Sequence, residues 1–535
     1  MPDILNFFPM ATPRPGQVKV LKVIQDRVLA GYKDIVLAAP TGTGKSAIGI
    51  CASLWMKHAF LPPPEHAPGA YYLVTQKLLQ DQLQKDSQAN PLLSQCKSVK
   101  SSESYACPRY HDCATGRRIT GAKPEIGCSN AKFGSCAYLR ARKEWEESPV
   151  GITNYAFLLA SATYTDKIKP RQLLVADECH SLSDQIIRFV DAAVSNEILA
   201  KWTPHIEWPI IATLQSYVDW LEHEYVPALQ EVYKNLVELE IRKSEAEAPD
   251  AEVTEIDKFI CKLNRAVERA KASPDWVFWE ERSRDGQKSS YILRPIYAAE
   301  HSGILLNIAP VRLYMSATPG TKEIFCRDIG IDPGKTVYMS LTSEFDIKHR
   351  PVVYKPMGSM GSSSKEETLP RILASIVKIA KAHKTRGLIH SSSYEIGEKI
   401  DMALSAAGEG HRVVFPKNAD EREQAFERHA LMDGSIIISP SMVEGFDFKD
   451  DLARWAVIAK VPFRYLGDKQ VEARLAAEPD WYAMQAVISV IQACGRIVRN
   501  GGDWGTVYVL DQDFGRLIDK HRQMFPKWFL DAVQR

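Results

Sequence analysis

The eight residues Ala39-Pro40-Thr41-Gly42-Thr43-Gly44-Lys45-Ser46 constrain this chain more than any other segment. They follow the apolar run Asp34 to Ala39 and precede a stretch, Ser46 to Met56, that reads as a helix. A buried strand turning through glycines into a helix presents backbone N–H groups and a positive helix end to an anion. Gly42 and Gly44 let the backbone approach phosphates closely, with Thr41 and Thr43 between and beside them. Lys45 reaches the β- and γ-phosphates of a nucleotide, and Ser46 ligates Mg2+. Tyr71 to Thr75 (YYLVT) and Gln172 to Ala176 (QLLVA) are further buried-strand candidates. Strands alternating with helices predict an α/β fold with parallel sheets.

The second run ends in Asp177-Glu178-Cys179-His180. A carboxylate at a strand end, Asp177, is suited to hold Mg2+, and its neighbour Glu178 to polarise an attacking water. At 535 residues the chain has room for three or four domains. With 45% hydrophobic and 25% charged residues it is neither fibrous nor wholly disordered. No run of about 18 apolar residues exists, so no membrane partner is expected. Met1 to Met10 lacks a basic stretch followed by an apolar core, so an intracellular, cytoplasmic location is expected. The net charge of +1 is silent about partners, because a neutral total can hide a basic channel.

Residues 215–272 carry a helical pattern without strand signals: Leu221, Tyr225, Leu229, Val232, Leu236 and Leu239, then Ile256, Phe259, Ile260, Leu263, Val267 and Ala270. Ala248-Pro249-Asp250 supplies the turn of this hairpin, whose tip is acid-rich. Strand signals resume near Trp276, with Asp285-Gly286 as a hairpin turn. A second alternating α/β pattern fills 346–535.

Ten cysteines are present, and five of them fall between Cys96 and Cys136. A local cluster in a large chain reads as a metal site rather than a disulfide scaffold. Cys107, Cys113, Cys128 and Cys136 offer four thiolates, which by spacing alone suit a [4Fe–4S] cluster or tetrahedral zinc equally, with four cysteines that bind no metal as the third reading. The absence of a CxxC pair counts mildly against a zinc ribbon. Cys96 is the spare and a possible substitute ligand. The window 101–143 holds eight Lys/Arg and three acids, with Tyr105, Tyr110, Phe133 and Tyr138 interleaved. Basic groups that track phosphates, with aromatic stacking faces, are the ingredients of a single-strand groove.

Further segments recur in a telling order. Arg14-Pro15-Gly16-Gln17 precedes the phosphate loop, and Thr75 to Gln82 (TQKLLQDQ) follows it. Ser316-Ala317-Thr318, Glu444-Gly445-Phe446-Asp447 and Gln492-Ala493-Cys494-Gly495-Arg496-Ile497-Val498-Arg499 come later. With the phosphate loop and the DECH box, this set resembles the XPD/DinG-like iron–sulfur DNA helicases of superfamily 2 (DExH type), over nearly the whole chain. Asn154-Tyr155 and Val461-Pro462-Phe463 also fit.

The resemblance implies two RecA-like parallel-sheet motor domains, the first carrying an iron–sulfur insertion and a helical arch insertion. The expected division is 1–100 for the first part of motor 1, 101–150 for the cluster domain and 151–190 for the DECH strand. The arch then takes 191–285, the last part of motor 1 takes 286–345, and motor 2 takes 346–535. ATP and Mg2+ would sit between the motors. Arg14, Gln17, Thr41, Gly42, Thr43, Gly44, Lys45, Ser46, Asp177 and Glu178 would come from the first, with Gln17 at the adenine. Gly445, Asp447, Gln492, Arg496 and Arg499 would come from the second, Arg496 and Arg499 as arginine fingers on the γ-phosphate.

It favours [4Fe–4S] over zinc at the four cysteines. The implied partners are single-stranded DNA and tailed or forked duplexes, with 5′→3′ travel by a monomer, and a role of the DNA-repair kind. Departures are Ala39 in place of the first glycine, Asp511-Gln512-Asp513-Phe514 where relatives often place an Arg near Asp513, and a shorter chain. A nucleic-acid-stimulated translocase or remodeller without strand separation remains an alternative, as does a non-catalytic cysteine-cluster nucleic-acid-binding module.

Overall fold

The computed structural model describes residues 1–75, 91–107, 112–114, 136–164, 168–242, 252–283, 287–418, 420–440, 448, 450–498 and 502–535. Cys128, Gly445, Asp447 and Arg499 lie outside the described residues, as do most of the segment 75–82, the acidic tip near Pro249 and the Asp285-Gly286 turn.

In chain order the first strands are β1 (Asp34–Ala38), β2 (Ala67–Val74), β3 (Cys96–Ser98), β4 (Val150–Asn154) and β5 (Arg171–Asp177). Next come β6 (Ala192–Ser195), β7 (Trp276–Arg282) and β8 (Ser289–Pro295), then β9 (Val311–Ser316) and β10 (Thr336–Ser340). The remainder are β11 (Val352–Gly358), β12 (Gly387–His390), β13 (Val413–Val414), β14 (Ile436–Ser439), β15 (Trp455–Ile458), β16 (Thr506–Asp511) and β17 (Val533–Gln534).

They build three sheets. The first has the order β10-β1-β9-β5-β2-β4-β3 and the second β13-β14-β12-β15-β16-β11-β17. Every pairing within these two is parallel. Both are therefore RecA-like α/β layers, and their strands read as continuous apolar runs because helices cover both faces. β5 is buried along its full length, and so are the four residues of β12, β14 and β15.

The chain leaves the first sheet after β5 and returns at β9. The excursion contains the third sheet, β6-β8-β7, which is antiparallel, and the helices Val226–Arg242 and Glu252–Ala272. The longer helix buries Ile256, Ile260, Leu263, Val267 and Ala270 of the predicted stripe, with Ala266 beside them, while Phe259 is only half-buried. Its core joins Tyr217, Trp220 and Tyr225 to Leu293 of β8. The hairpin of helices thus stands on a small sheet of its own, whose last strand ends at Pro295.

Candidate nucleotide site between the two motors

Register explains why distant motifs meet. β1 pairs with β9 so that Ala38 faces Ser316, and β9 pairs with β5 so that Met315 faces Asp177. The phosphate loop, the DECH box and the Ser316-Ala317-Thr318 segment therefore emerge side by side at the carboxyl ends of three neighbouring strands. That edge is where open α/β sheets bind ligands.

Gly42 and Gly44 both have φ of 78°, a left-handed conformation in which a side chain is strained. The helix Lys45–Ala59 starts directly after Gly44. The loop is braced from within, as Thr43 Oγ1 donates to Pro40 O at 2.7 Å and Lys45 Nζ to Ala39 O at 3.3 Å. It is also braced from the N-terminal segment. Gln17 is buried; its Nε2 donates to Thr43 O at 3.0 Å, and its Oε1 accepts from Arg14 N at 2.8 Å. Arg14 in turn donates to Gly42 O at 2.8 Å and pairs with Glu344 at 3.0 Å. Both ends of the Gln17 amide are thus committed to backbone, and Gln17 is placed as a strut for the loop.

Asp177 is buried at the end of β5. Its two carboxylate oxygens accept from Tyr72 Oη and from Glu178 N, each at 3.0 Å. Tyr155 Oη donates to the Asp177 carbonyl at 2.8 Å. Glu178 takes a left-handed backbone, φ 51°, an unusual conformation for a residue with a side chain. Burial, followed by the adjacent Glu178, pushes Asp177 up to about 6. For Glu178 burial acts in the same direction, but Lys45, His180 and Arg496 outweigh it and hold the group below the usual carboxylate range. Lys45 and Glu178 of the first motor and Arg496 of the second therefore share one electrostatic site.

A chain of contacts crosses the cleft, one link of it the backbone N–H of Thr318. Glu178 lies 3.3 Å from His180 Nδ1, which meets Ser316 Oγ at 2.9 Å. Ser316 Oγ also accepts from Thr318 N at 3.1 Å, and Thr318 Oγ1 accepts from Gln492 Nε2 at 2.8 Å. A Cβ placed on Gly495 would lie 3.8 Å from Thr41 Oγ1, so the turn at Gly495 borders the phosphate loop. A cavity of about 50 Å³ opens there between Thr41, Phe345, Ile491, Val498 and Trp528.

Ion pairs fasten the second motor to the first away from this cleft. Arg464 pairs with both carboxylate oxygens of Asp184, at 2.9 and 2.5 Å. Arg474 reaches Asp328 at 2.5 Å, and Arg327 reaches Asp480 at 2.8 Å. Asp468 meets Arg294 of β8 at 2.5 Å, and Arg294 also holds Asp191 at 3.1 Å.

Of the four clustered cysteines, Cys113 and Cys136 bring their sulfurs to 3.5 Å. A bridge between Ala106 and Asp112 closes the loop that carries Cys107 next to Cys113. Two soft thiols meeting from separate elements suit a soft metal as a pair of ligands. Among the described residues no group of three His, Cys, Asp or Glu converges as a metal site. Cys96 does not join the others. It sits in β3, packed in the core on one face of the first sheet, whereas Cys113 belongs to the core on the other. Burial pushes its thiol up to about 12.

Several contributors escape sequence reasoning. Tyr72 belongs to no motif and reads as one more apolar strand residue. His180 is legible only as part of the DECH box. The ion pairs of Asp184, Asp328, Arg464 and Arg474 depend on long-range packing that no local spacing reports.

Two parallel-sheet domains, with a phosphate loop in one and Arg496 of the other facing Glu178 beside it, define a two-domain P-loop nucleotide site. Residues 10–206 match the family described as type III restriction enzyme, res subunit, and residues 376–532 match the helicase C-terminal domain family. Among curated proteins, the Fanconi anemia group J protein homolog of Gallus gallus is 31% identical over 161 residues, 27% of this chain and 13% of that protein. The general transcription and DNA repair factor IIH helicase subunit XPD/RAD3 of Saccharomyces cerevisiae is 24% identical over 217 residues, 36% of this chain and 25% of that protein. The ATP-dependent DNA helicase YoaA of Haemophilus influenzae is 22% identical over 249 residues, 44% of this chain and 38% of that protein. The aligned stretch is thus well under half of each relative's length.

Solved structures agree in fold. One described as an XPD helicase superposes with a TM-score of 0.67 at 14% identity, covering 98% of this chain and 100% of that one. S. tokodaii Xpd4 gives a TM-score of 0.58 at 13% identity, covering 97% and 99%. The chain is thus similar, through two helicase-type family models that fall on its two sheets and through its fold, to XPD/DinG-like helicases of superfamily 2.

Proposed function

We propose that this protein is an ATP-dependent DNA helicase that moves along single-stranded DNA, 5′→3′, and separates tailed or forked duplexes. The observation that carries the reading is the contact path Glu178–His180–Ser316, continued through the backbone N–H and hydroxyl of Thr318 to Gln492. It joins the acid that would activate water to the second motor. A change at the γ-phosphate therefore has a physical route to the relative position of the two sheets, which is what a motor requires. The relatives named as DNA helicases support DNA as the track.

In this reading Lys45 and the loop amides bind the phosphates, and Ser46 and Asp177 hold Mg2+. Glu178 orients and polarises the water. Arg496 and Arg499 stabilise charge on the transferring phosphoryl group, and Gly445 and Asp447 face the nucleotide. Bound Mg2+ supplies charge neutralisation between phosphates, and it favours the ionised form of Asp177. Cys107, Cys113, Cys128 and Cys136 would hold a [4Fe–4S] cluster, whose bonds to thiolate tie a segment of weak apolar content into a fold. Basic residues of 101–143 would track the phosphates of the strand, whereas Tyr138 is buried and packs against Tyr105 in the core of the first motor.

Lys45→Ala and Glu178→Gln are expected to abolish DNA-stimulated ATP hydrolysis while leaving the circular dichroism spectrum unchanged. Wild-type turnover in either variant refutes the motor assignment. Protein purified without oxygen should carry about four iron atoms per chain and absorb in the visible. Stoichiometric zinc without visible absorbance refutes the cluster.

A further inference from the structure

Tyr72 is wholly buried in the middle of the first sheet. Its register partner is Val175, so its side chain leaves the sheet on the face that Asp177, two residues further along β5, also uses. The ring lies against the helix that follows the phosphate loop, and the approach depends on Gly49. A Cβ at that position would stand 2.7 Å from Tyr72 Cε2. Glycine within a helix is destabilising by about 1 kcal/mol relative to alanine, and here it admits an aromatic ring to the helix surface.

The consequence is at the hydroxyl. Tyr72 Oη donates to Asp177 Oδ2 at 3.0 Å. The remaining carboxylate oxygen of Asp177 is held by Glu178 N at 3.0 Å. One buried hydroxyl thus holds the carboxylate assigned to Mg2+ at the end of β5, from a ring that packs on the helix carrying Ser46. Partners of metal ligands fix ligand orientation, and removing them typically lowers metal affinity about 10–100-fold.

We propose that Tyr72 is a positioning residue for the Mg2+–nucleotide complex. Its hydroxyl sets the rotamer of Asp177 so that the carboxylate is already oriented when Mg2+ arrives. The proposal rests on the assignment of this cleft as the ATP site and adds to it a residue outside the recognised motifs.

Tyr72→Phe removes the hydroxyl and keeps the ring that packs on Gly49. The test is titration of full-length protein with a fluorescent non-hydrolysable ATP analogue, in EDTA and across a Mg2+ series. The expected result is unchanged affinity in EDTA and about a 10-fold rise in the Mg2+ concentration that gives half of the affinity gain. Tyr155→Phe is the control, because its hydroxyl bonds the Asp177 carbonyl rather than the carboxylate, and its Mg2+ curve should match wild type. Coincident curves for Tyr72→Phe and wild type overturn the proposal. So does an equal loss of affinity with and without Mg2+, which would mark a packing role. Wild-type protein that binds no nucleotide overturns the ATP-site assignment together with the proposal, whereas normal wild-type binding with an unshifted Tyr72→Phe curve overturns the proposal alone.

Discussion

Replacing Gln17 by alanine separates two roles for the N-terminal segment. Its motif suggests contact with adenine, whereas its geometry makes it a strut, with Nε2 on Thr43 O and Oε1 on Arg14 N. Gln17→Ala deletes two hydrogen bonds, each contributing about 1 kcal/mol net, and leaves the Thr43 carbonyl unpaired in a buried position. Together these amount to about 2–3 kcal/mol, which appears in binding because the loop must then be ordered by the phosphates themselves. That corresponds to a roughly 30- to 150-fold weaker affinity. The phosphates are common to all nucleoside triphosphates, so the loss should be equal for ATP and GTP. Competition titrations with both nucleotides, on protein whose thermal midpoint has been checked, provide the assay. A tenfold or greater loss for ATP with GTP within twofold of wild type would refute the strut and make Gln17 a reader of the base.

Three further outcomes follow from the geometry. Arg464 and Asp184 form a two-pronged, partly buried pair between the motors. Removing either partner should destabilise by about 1–3 kcal/mol, and the double variant should lose less than the sum; strict additivity in thermal denaturation would show that the pair contributes nothing. Cys96→Ser should leave iron content unchanged, because Cys96 packs in the opposite core, whereas Cys113→Ser should lower it; loss of iron from Cys96→Ser contradicts that division. His301, His390 and His429 are all buried, and burial lowers them to about 4, 3 and 4 respectively. Each is neutral in the folded state and takes up a proton on unfolding below about pH 6.5. Stability is therefore complete above that pH and falls as pH drops towards 4, by up to about 1.4 kcal/mol per unit per histidine; urea midpoints that rise between pH 7 and 5 would contradict the sign.

Much of the motor architecture is legible in the sequence because its signals are local. A glycine-rich turn between an apolar strand and a helix, and an acidic pair at a strand end, need no tertiary information. The helical hairpin is equally legible, since Ile256, Ile260, Leu263 and Val267 repeat along one helix face. Its base is harder to see. β6 and β8 pair across about a hundred residues, and nothing in Ala192–Ser195 announces a strand partner at Ser290–Leu293. The site divides in the same way. Lys45, Asp177 and Glu178 announce themselves by position, whereas Tyr72 acquires its role only through the register of β2 against β5 and the missing side chain of Gly49. Gln17 is visible as a motif residue, yet what it grips depends on how the first helix lies against the loop.

Strand separation by the intact protein tests the central claim most directly. The substrate is a duplex with a single-stranded 5′ tail, followed beside its 3′-tailed counterpart with wild-type protein and Glu178→Gln in the presence of ATP and Mg2+. ATP-dependent release of the labelled strand from the 5′-tailed duplex by wild type, with none by Glu178→Gln, is the predicted result. Single-stranded DNA that leaves ATP turnover unchanged, together with an intact duplex, would contradict the account.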